Sequence, residues 1–171
     1  MRKISFETAT AKHVSAIVEL RNSVANNLVE KYGSGHWSHQ TTEKGVAMGI
    51  TNTSKVLLAF LDDNLVGTLR LAQKKPWAID VSYFSNCKRP LYLVDMAIAP
   101  PLQKSGIGKM MIQESKNMAK SWPADAIRLD AYDAPAGAGD FYHKCGFESR
   151  GRVIYRKVAL LYYEMLIKEV K

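Results

Sequence analysis

The sequence predicts a single α/β domain over residues 1–171, with a mixed, mostly antiparallel central sheet flanked by helices. Three observations predict it. Strand-like apolar runs mix with stretches of helical periodicity along the chain. The apolar run Leu91–Ala99 leads through Gly106 and Gly108 directly into a helical pattern. No Pro-, Gly- or Ser-rich linker divides the chain, and no internal repeat is visible.

The elements follow in order. A strand at Lys3–Glu7 precedes a helix from Ala11 to about Lys31, whose apolar face is Val14, Ile17, Val18, Leu20, Val24 and Leu28. Tyr32–Ser38 breaks that helix, and Thr41–Ile50 forms a short second one. Lys55–Leu61 and Leu65–Ala72, joined by Asp62-Asp63-Asn64, read as a hairpin. Leu91–Ala99 is a buried strand. The helix after the glycines runs to about Ser121, with Met110, Met111, Ser115, Met118 and Ala119 as core positions, and Pro123 ends it. Ile127–Tyr132 alternates as a strand, Asp133–Gly139 is turn-rich, and Asp140 opens a short helix that stops at Gly146. Val158–Ile167 supplies the last strand.

Composition excludes several classes. A chain with 47% hydrophobic and 23% charged residues has ordinary globular usage. No run approaches the ~18 apolar residues of a membrane span, and the N-terminal residues carry no signal-peptide core. Cys87 and Cys145 make neither a disulfide framework nor a metal site, so the expectation is a cytoplasmic protein with reduced thiols, no membrane and no metal. The net charge of +8 suits an anionic ligand, whereas the scattered basic residues lack the interleaved aromatics of a nucleic-acid binder. His36 and His39, without a third ligand type, read as loop residues.

The chemistry is concentrated in Gln103-Lys104-Ser105-Gly106-Ile107-Gly108. A strand that turns into a helix N-terminus leaves unpaired N–H groups pointing outward, and the helix dipole adds to their pull on phosphate oxygens. The sequence departs from the nucleotide-triphosphate loop, since Met110 follows Gly108-Lys109 where Ser or Thr is needed. It departs from the dinucleotide fingerprint as well, because Met111 stands at the third glycine position. Gln-x-x-Gly-x-Gly remains. An ordinary glycine turn before a helix is the competing reading, with both glycines otherwise letting a pyrophosphate approach the backbone.

This loop, the helix after it, the strand Ile127–Tyr132, and the short helix with Phe141-Tyr142 and the Gly146-Phe147 exit together resemble the GNAT superfamily of N-acetyltransferases. The resemblance is tightest from about Leu91 to Phe147. It implies direct transfer of an acetyl group from acetyl-CoA to an amine, without an acyl-enzyme. Gln103, Lys104, Ser105, Gly106, Ile107, Gly108 and Lys109 are then expected to hold the pyrophosphate. The backbone of Met96, Ala97 and Ile98 aligns the pantetheine arm, and an N–H near Ala97 or Ile98 polarises the thioester. Tyr142 stands where the family's tyrosine protonates the departing thiolate. One departure is Asp133-Ala134-Pro135, where many members carry an Asn.

Asp95, adjacent to Met96, is the leading candidate for the general base, as a buried carboxylate acting directly or through water; a structural carboxylate is the alternative. Glu30, Glu43 and His36 are outside candidates. Cys145 is read as a small buried residue. Trp37 and Trp77, on the segments Tyr32–Gln40 and Lys74–Pro90, are expected to line the acceptor opening. The expected acceptor is a small-molecule amine. A protein N-terminus or lysine is the alternative, a non-catalytic acyl-CoA sensor is a third reading, and a homodimer stays open.

Overall fold

The computed structural model describes residues 2–167; Met1 and residues 168–171, which the expected domain includes, lie outside the described residues. The strands are β1 (Ile4–Thr8), β2 (Ser54–Leu61), β3 (Asn64–Ala72), β4 (Pro90–Ile98), β5 (Ala126–Tyr132), β6 (Glu148–Tyr155) and β7 (Val158–Leu166). The helices are α1 (Val14–Tyr32), α2 (Glu43–Met48), α3 (Ile107–Ser121) and α4 (Gly139–Lys144). The strands join in the order β1-β2-β3-β4-β5-β7-β6. Every neighbouring pair is antiparallel except β4 and β5.

Strand alternation splits the sheet's side chains between two layers. Leu57, Ala59, Leu91, Leu93, Ile127 and Leu129 face α3, whose Ile107, Met111, Ser115 and Ala119 recur at four-residue spacing. Ser115 sits in this apolar stripe at no cost in unpaired groups, because its hydroxyl donates to the Ile112 carbonyl at 2.7 Å. Gly67 lets α3 come close: a Cβ there would lie 2.5 Å from Met111 Sδ. Met110, expected in the core, is 44% exposed. It falls one residue off the stripe, and Ile112 fills the contact instead.

On the other face, Ile17 and Val46 of α1 and α2 cover Val56 and Leu58. Next to them the connection 73–89 covers β4 and β7, through Ile79 and Phe84 packed on Tyr92 and Tyr162, and reaches β5 where Arg128 meets the Phe84 ring. A buried ionic network fastens it. Arg128 Nε donates to Glu164 Oε2 at 2.8 Å, and the Ser85 amide and Arg150 Nε both donate to Glu164 Oε1 at 3.1 Å. Arg128 also donates to the Ser85 carbonyl.

The last helix-to-strand segment differs from the sequence pattern. β6 lies in a stretch to which the pattern assigns no element, at the sheet edge, paired only with β7. Its residues, Glu148-Ser149-Arg150-Gly151-Arg152-Val153-Ile154-Tyr155, are mostly polar because one side faces solvent. A two-residue turn follows, with Arg156 and Lys157 at φ 47° and 70°. The hairpin between β2 and β3 turns the same way through Asp62 and Asp63, φ 48° and 67°, the twist that antiparallel strands accept. The expected helix Thr41–Ile50 shortens to α2, capped by Thr42 Oγ1, which accepts from the Gly45 amide at 3.1 Å. No helix among the described residues is long and apolar enough to cross a membrane.

Candidate active site

β4 and β5 pair only over Pro90–Tyr92 and Ala126–Arg128, then part. A bulge in β4 marks the divergence: Thr68 faces Ala97 and Arg70 faces Val94, so Asp95 and Met96 together oppose Leu69 alone. Asp95 holds the bulge at φ 57°. Its carboxylate was expected to be buried. It is instead 35% exposed, with Oδ1 accepting from Arg21 Nη2 at 3.0 Å and Oδ2 from Arg70 Nε at 3.2 Å. Those two guanidiniums, one from α1 and one from β3, occupy the oxygens that a base would need.

Past the bulge, β4 turns a bare edge toward the gap. The Ala99 amide donates to Val66 at 2.8 Å, so alternation turns Ala97 toward β3 as well. Met96 and Ile98 therefore point their amides and carbonyls into the cleft. This corrects the expected place of Ala97, whose backbone lies on the β3 side. The Ile98 carbonyl accepts from Gln103 Nε2 at 3.1 Å, so the Gln103 side chain ties the loop to the strand end.

At the mouth of the cleft α3 begins. Lys104 and Gly106 take left-handed conformations, φ 62° and 94°, and swing the chain into the helix. The first bond into the turn is Met110 N–H to the Gly106 carbonyl at 3.1 Å, and the amides of Ile107, Gly108 and Lys109 find no acceptor among the described residues. A Cβ on Gly106 would meet nothing within 4 Å, so this turn opens to solvent. Gly108 serves a different end from the expected one: a Cβ there would lie 3.0 Å from Phe141 Cζ, so its glycine makes room for α4. Ile107 is a core side chain, and Ser105 Oγ donates back to the Leu102 carbonyl. The exposed ammoniums of Lys104 and Lys109 flank the open amides. Unpaired donors, a positive helix end and free space together fit a diphosphate.

Tyr142 reaches the cleft from α4. Its ring packs edge-on to Phe141 and Phe147, with centroids 5.2 and 5.7 Å away. Its hydroxyl donates to Met96 Sδ at 3.7 Å, beside the bare edge of β4. Burial pushes the phenol far above its ordinary value, and the Asp130 carboxylate adds to the shift, so the hydroxyl keeps its proton. Asp130 on β5 is a residue to which the sequence pattern gave no role beyond strand alternation. It is half-buried, burial raises its carboxyl above the usual range, and no described side chain bonds it.

Aromatic residues gather at the end of β5. Tyr132, at the end of β5, donates to the His36 carbonyl at 3.2 Å and meets Trp37 edge-on at 6.1 Å. Trp37 Nε1 donates to the Gly33 carbonyl at 2.9 Å, so the segment His36–Ser38 is pinned over the β5 end. Trp77, 82% exposed, is not brought to this cleft: it stands along a separate groove of about 450 Å3 shared with Tyr83, Arg152, Tyr155 and Tyr162. Asp133, where the resembling family often has Asn, is engaged by Arg152. Cys145 is half-buried and burial pushes its thiol up, in line with a packing role. Of the outside candidates, His36 meets this end of β5 through its backbone carbonyl, and Glu43 accepts from Ser15 at 3.1 Å.

With this geometry established, likeness to known proteins is informative. The pattern of the acetyltransferase (GNAT) family matches residues 17–147. An uncharacterized N-acetyltransferase of Bacillus subtilis, YvbK, is 27% identical over 89 residues, 52% of this chain and 50% of that protein. The chain thus matches about half the length of that curated relative. Two solved structures share the fold. The ribosomal-protein-S18-alanine N-acetyltransferase of Escherichia coli superposes with a TM-score of 0.73 at 10% identity, over 99% of this chain and 97% of that one. The PaiA N-acetyltransferase of Thermoplasma acidophilum, in complex with coenzyme A, gives 0.72 at 15% identity, over 94% and 98%.

Proposed function

The chain belongs to the acetyltransferase (GNAT) family, and on that footing we propose that it moves an acetyl group from acetyl-CoA directly to the amine of a small-molecule acceptor. The observation that carries this reading is the parting of β4 from β5, with the bare Met96 and Ile98 edge on one lip and the Tyr142 hydroxyl against Met96. A thioester carrier supplies an activated acetyl group when bound. The amides of Ile107, Gly108 and Lys109, with Lys104 and Lys109 beside them, hold its diphosphate. Met96 and Ile98 pair with the amide-bearing arm in strand fashion, and the Ile98 N–H faces the carbonyl as charge develops there. Tyr142 donates a proton to the departing sulfur, which its buried, protonated phenol suits. Asp95 we assign to holding the β4 bulge.

The pinned segment over the end of β5 narrows the approach on the side of Tyr132 and Trp37, which favours a small amine over a polypeptide. A thiol-release assay with acetyl-CoA against a broad library of amines tests the reading. At least one amine is expected to release CoA in a Tyr142-dependent way. A protein that shows no heat on titration with CoA or acetyl-CoA at millimolar concentration refutes it.

A further inference from the structure

We propose that Asp130 receives the acceptor's ammonium group and takes its proton, the task the sequence pattern assigns to Asp95. The inference rests on the acetyl-transfer reading above and adds the residue that activates the amine.

The placement comes from the strand. β5 has its last β4 partner at Arg128, so Asp130 stands two residues into the stretch where the cleft is open. Leu129 and Ala131 point into the α3 core, which turns Asp130 to the opposite face together with Arg128 and Tyr132. That is the face on which the His36–Ser38 segment closes over Tyr132. Across the strand pair it stands beside Tyr162 of β7.

Among the described residues no cation bonds it. Tyr132 on its own strand, Tyr162 on β7 and Tyr142 on α4 are the titrating groups that feel its charge. Beyond Tyr162 stand Asp80 and Tyr83 of the loop, where the one ammonium, Lys75, acts on Asp80 and donates to the Ile79 carbonyl at 2.7 Å. Arg128 on the same face is committed to Glu164, Tyr92 and Ser85. Arg21 and Arg70, on α1 and β3, are committed to Asp95 of β4. A half-buried carboxylate among phenols, with no guanidinium or ammonium of its own, is costly unless a cation arrives from outside. A protonated amine supplies that cation. Burial also raises the carboxyl, so Asp130 is a better proton acceptor than a solvated aspartate.

The step balances. Asp130 takes one proton from the ammonium and leaves a neutral nitrogen with its lone pair. The nitrogen forms the C–N bond to the acetyl carbon as the C–S bond breaks. Tyr142 gives its proton to the sulfur and regains one from the nitrogen as the amide forms. CoA leaves as the thiol, and the proton on Asp130 passes to solvent.

The experiment compares the parent, Asp130→Asn and Asp130→Glu with two nucleophiles, an alkyl amine that the library assay finds and hydroxylamine, which is already unprotonated at neutral pH. For Asp130→Asn, kcat/KM with the alkyl amine is expected to fall about 100-fold or more, while hydroxylamine stays within about threefold. Asp130→Glu recovers part of the loss. Calorimetric binding of acetyl-CoA is expected to match the parent, and the melting temperature to equal or exceed it, since an unpaired charge is removed. Equal losses with both nucleophiles, or an alkyl-amine rate that does not fall, overturn the inference while leaving acetyl transfer in place. A parent that binds no acetyl-CoA overturns the acetyl-transfer reading itself.

Discussion

Replacing Tyr142 by Phe removes a single oxygen and separates the chemistry of this side chain from its packing. The ring keeps its contacts with Phe141, Phe147 and Tyr163. The lost hydrogen bond runs to a thioether at 3.7 Å, a weak acceptor, so it contributes less than the roughly 1 kcal/mol of an ordinary neutral bond. For a domain of this size that shifts the melting temperature by no more than about 3 °C. If the hydroxyl protonates the departing thiolate, its removal slows turnover about 10²- to 10⁴-fold, equal to roughly 3–5 kcal/mol of barrier. The catalytic effect therefore exceeds the structural one several-fold. Urea unfolding, CoA calorimetry and thiol release on the same preparation measure all three. A variant that turns over within about threefold of the parent refutes the assignment. So does a rate loss matched by a loss of CoA binding. A pH signature accompanies it. The folded phenol is raised above its ordinary value of 10.0, so its contribution to stability is present below that pH and lost as pH climbs through the folded value. Tyr142→Phe is expected to lack that alkaline loss.

Five further substitutions have expected outcomes. Glu164→Gln leaves the Arg128 and Arg150 guanidiniums without their shared carboxylate at a fully buried position, and costs about 3–5 kcal/mol in urea unfolding. In the parent, burial alone would raise that carboxyl, but bonds from Ser85 and Arg128 outweigh burial and hold it below 4.5. Its contribution is thus present above that pH and lost as pH falls through the depressed folded value, which an acid unfolding titration of parent and variant reads. Gly106→Ala, forced to φ 94° in open space, is expected to cost roughly 1 kcal/mol of stability and to weaken CoA binding in calorimetry. Gly108→Val meets Phe141 at 3.0 Å, shifts α4, and is expected to lower turnover through Tyr142. Trp37→Ala frees the segment over the β5 end and is expected to raise the acceptor's KM, while Trp77→Ala, at an exposed ring, is expected to change urea stability by less than about 0.5 kcal/mol.

The sequence pattern located the glycine turn, the helix after it and the Phe141-Tyr142 helix because each is a local signal. Left-handed Gly106, the four-residue stripe from Ile107 to Ala119, and the stop at Gly146 with φ 98° are all written in neighbouring residues. What escaped was non-local. Arg128 and Asp130 alternate with Leu129 and Ala131, so by period they belong to a wet face. Arg128 is 3% exposed only because the connection 73–89 folds back over that face. Nothing within Ile127–Tyr132 encodes that cover; its fastening lies in Ser85, Arg150 and Glu164, far along the chain. Asp95 erred in the opposite sense. A charge inside the apolar run 91–99 suggests a buried carboxylate, but the β4 bulge turns it outward to Arg21 and Arg70. β6 was hidden because an edge strand needs few apolar residues.

The bulge itself links these observations. A non-glycine residue at φ 57° costs on the order of 1 kcal/mol, and β4 keeps it at Asp95 where glycine would be easier. The two charge-assisted bonds from Arg21 and Arg70 offset that cost, and glycine could not make them. Arg21 comes from α1 and Arg70 from the neighbouring strand β3, so the packing of α1 is coupled to the kink in β4. The kink follows the last β4–β5 partners, Tyr92 and Arg128, and a bulge bends its strand, which fits the departure of β4 from its parallel course with β5. Continued pairing would close the gap in which Met96, Ile98 and Asp130 now stand, and would spend the amides of Met96 and Ile98 on β5. The ionic anchor at Asp95 therefore acts on the cleft through backbone geometry, with both carboxylate oxygens turned to its own protein.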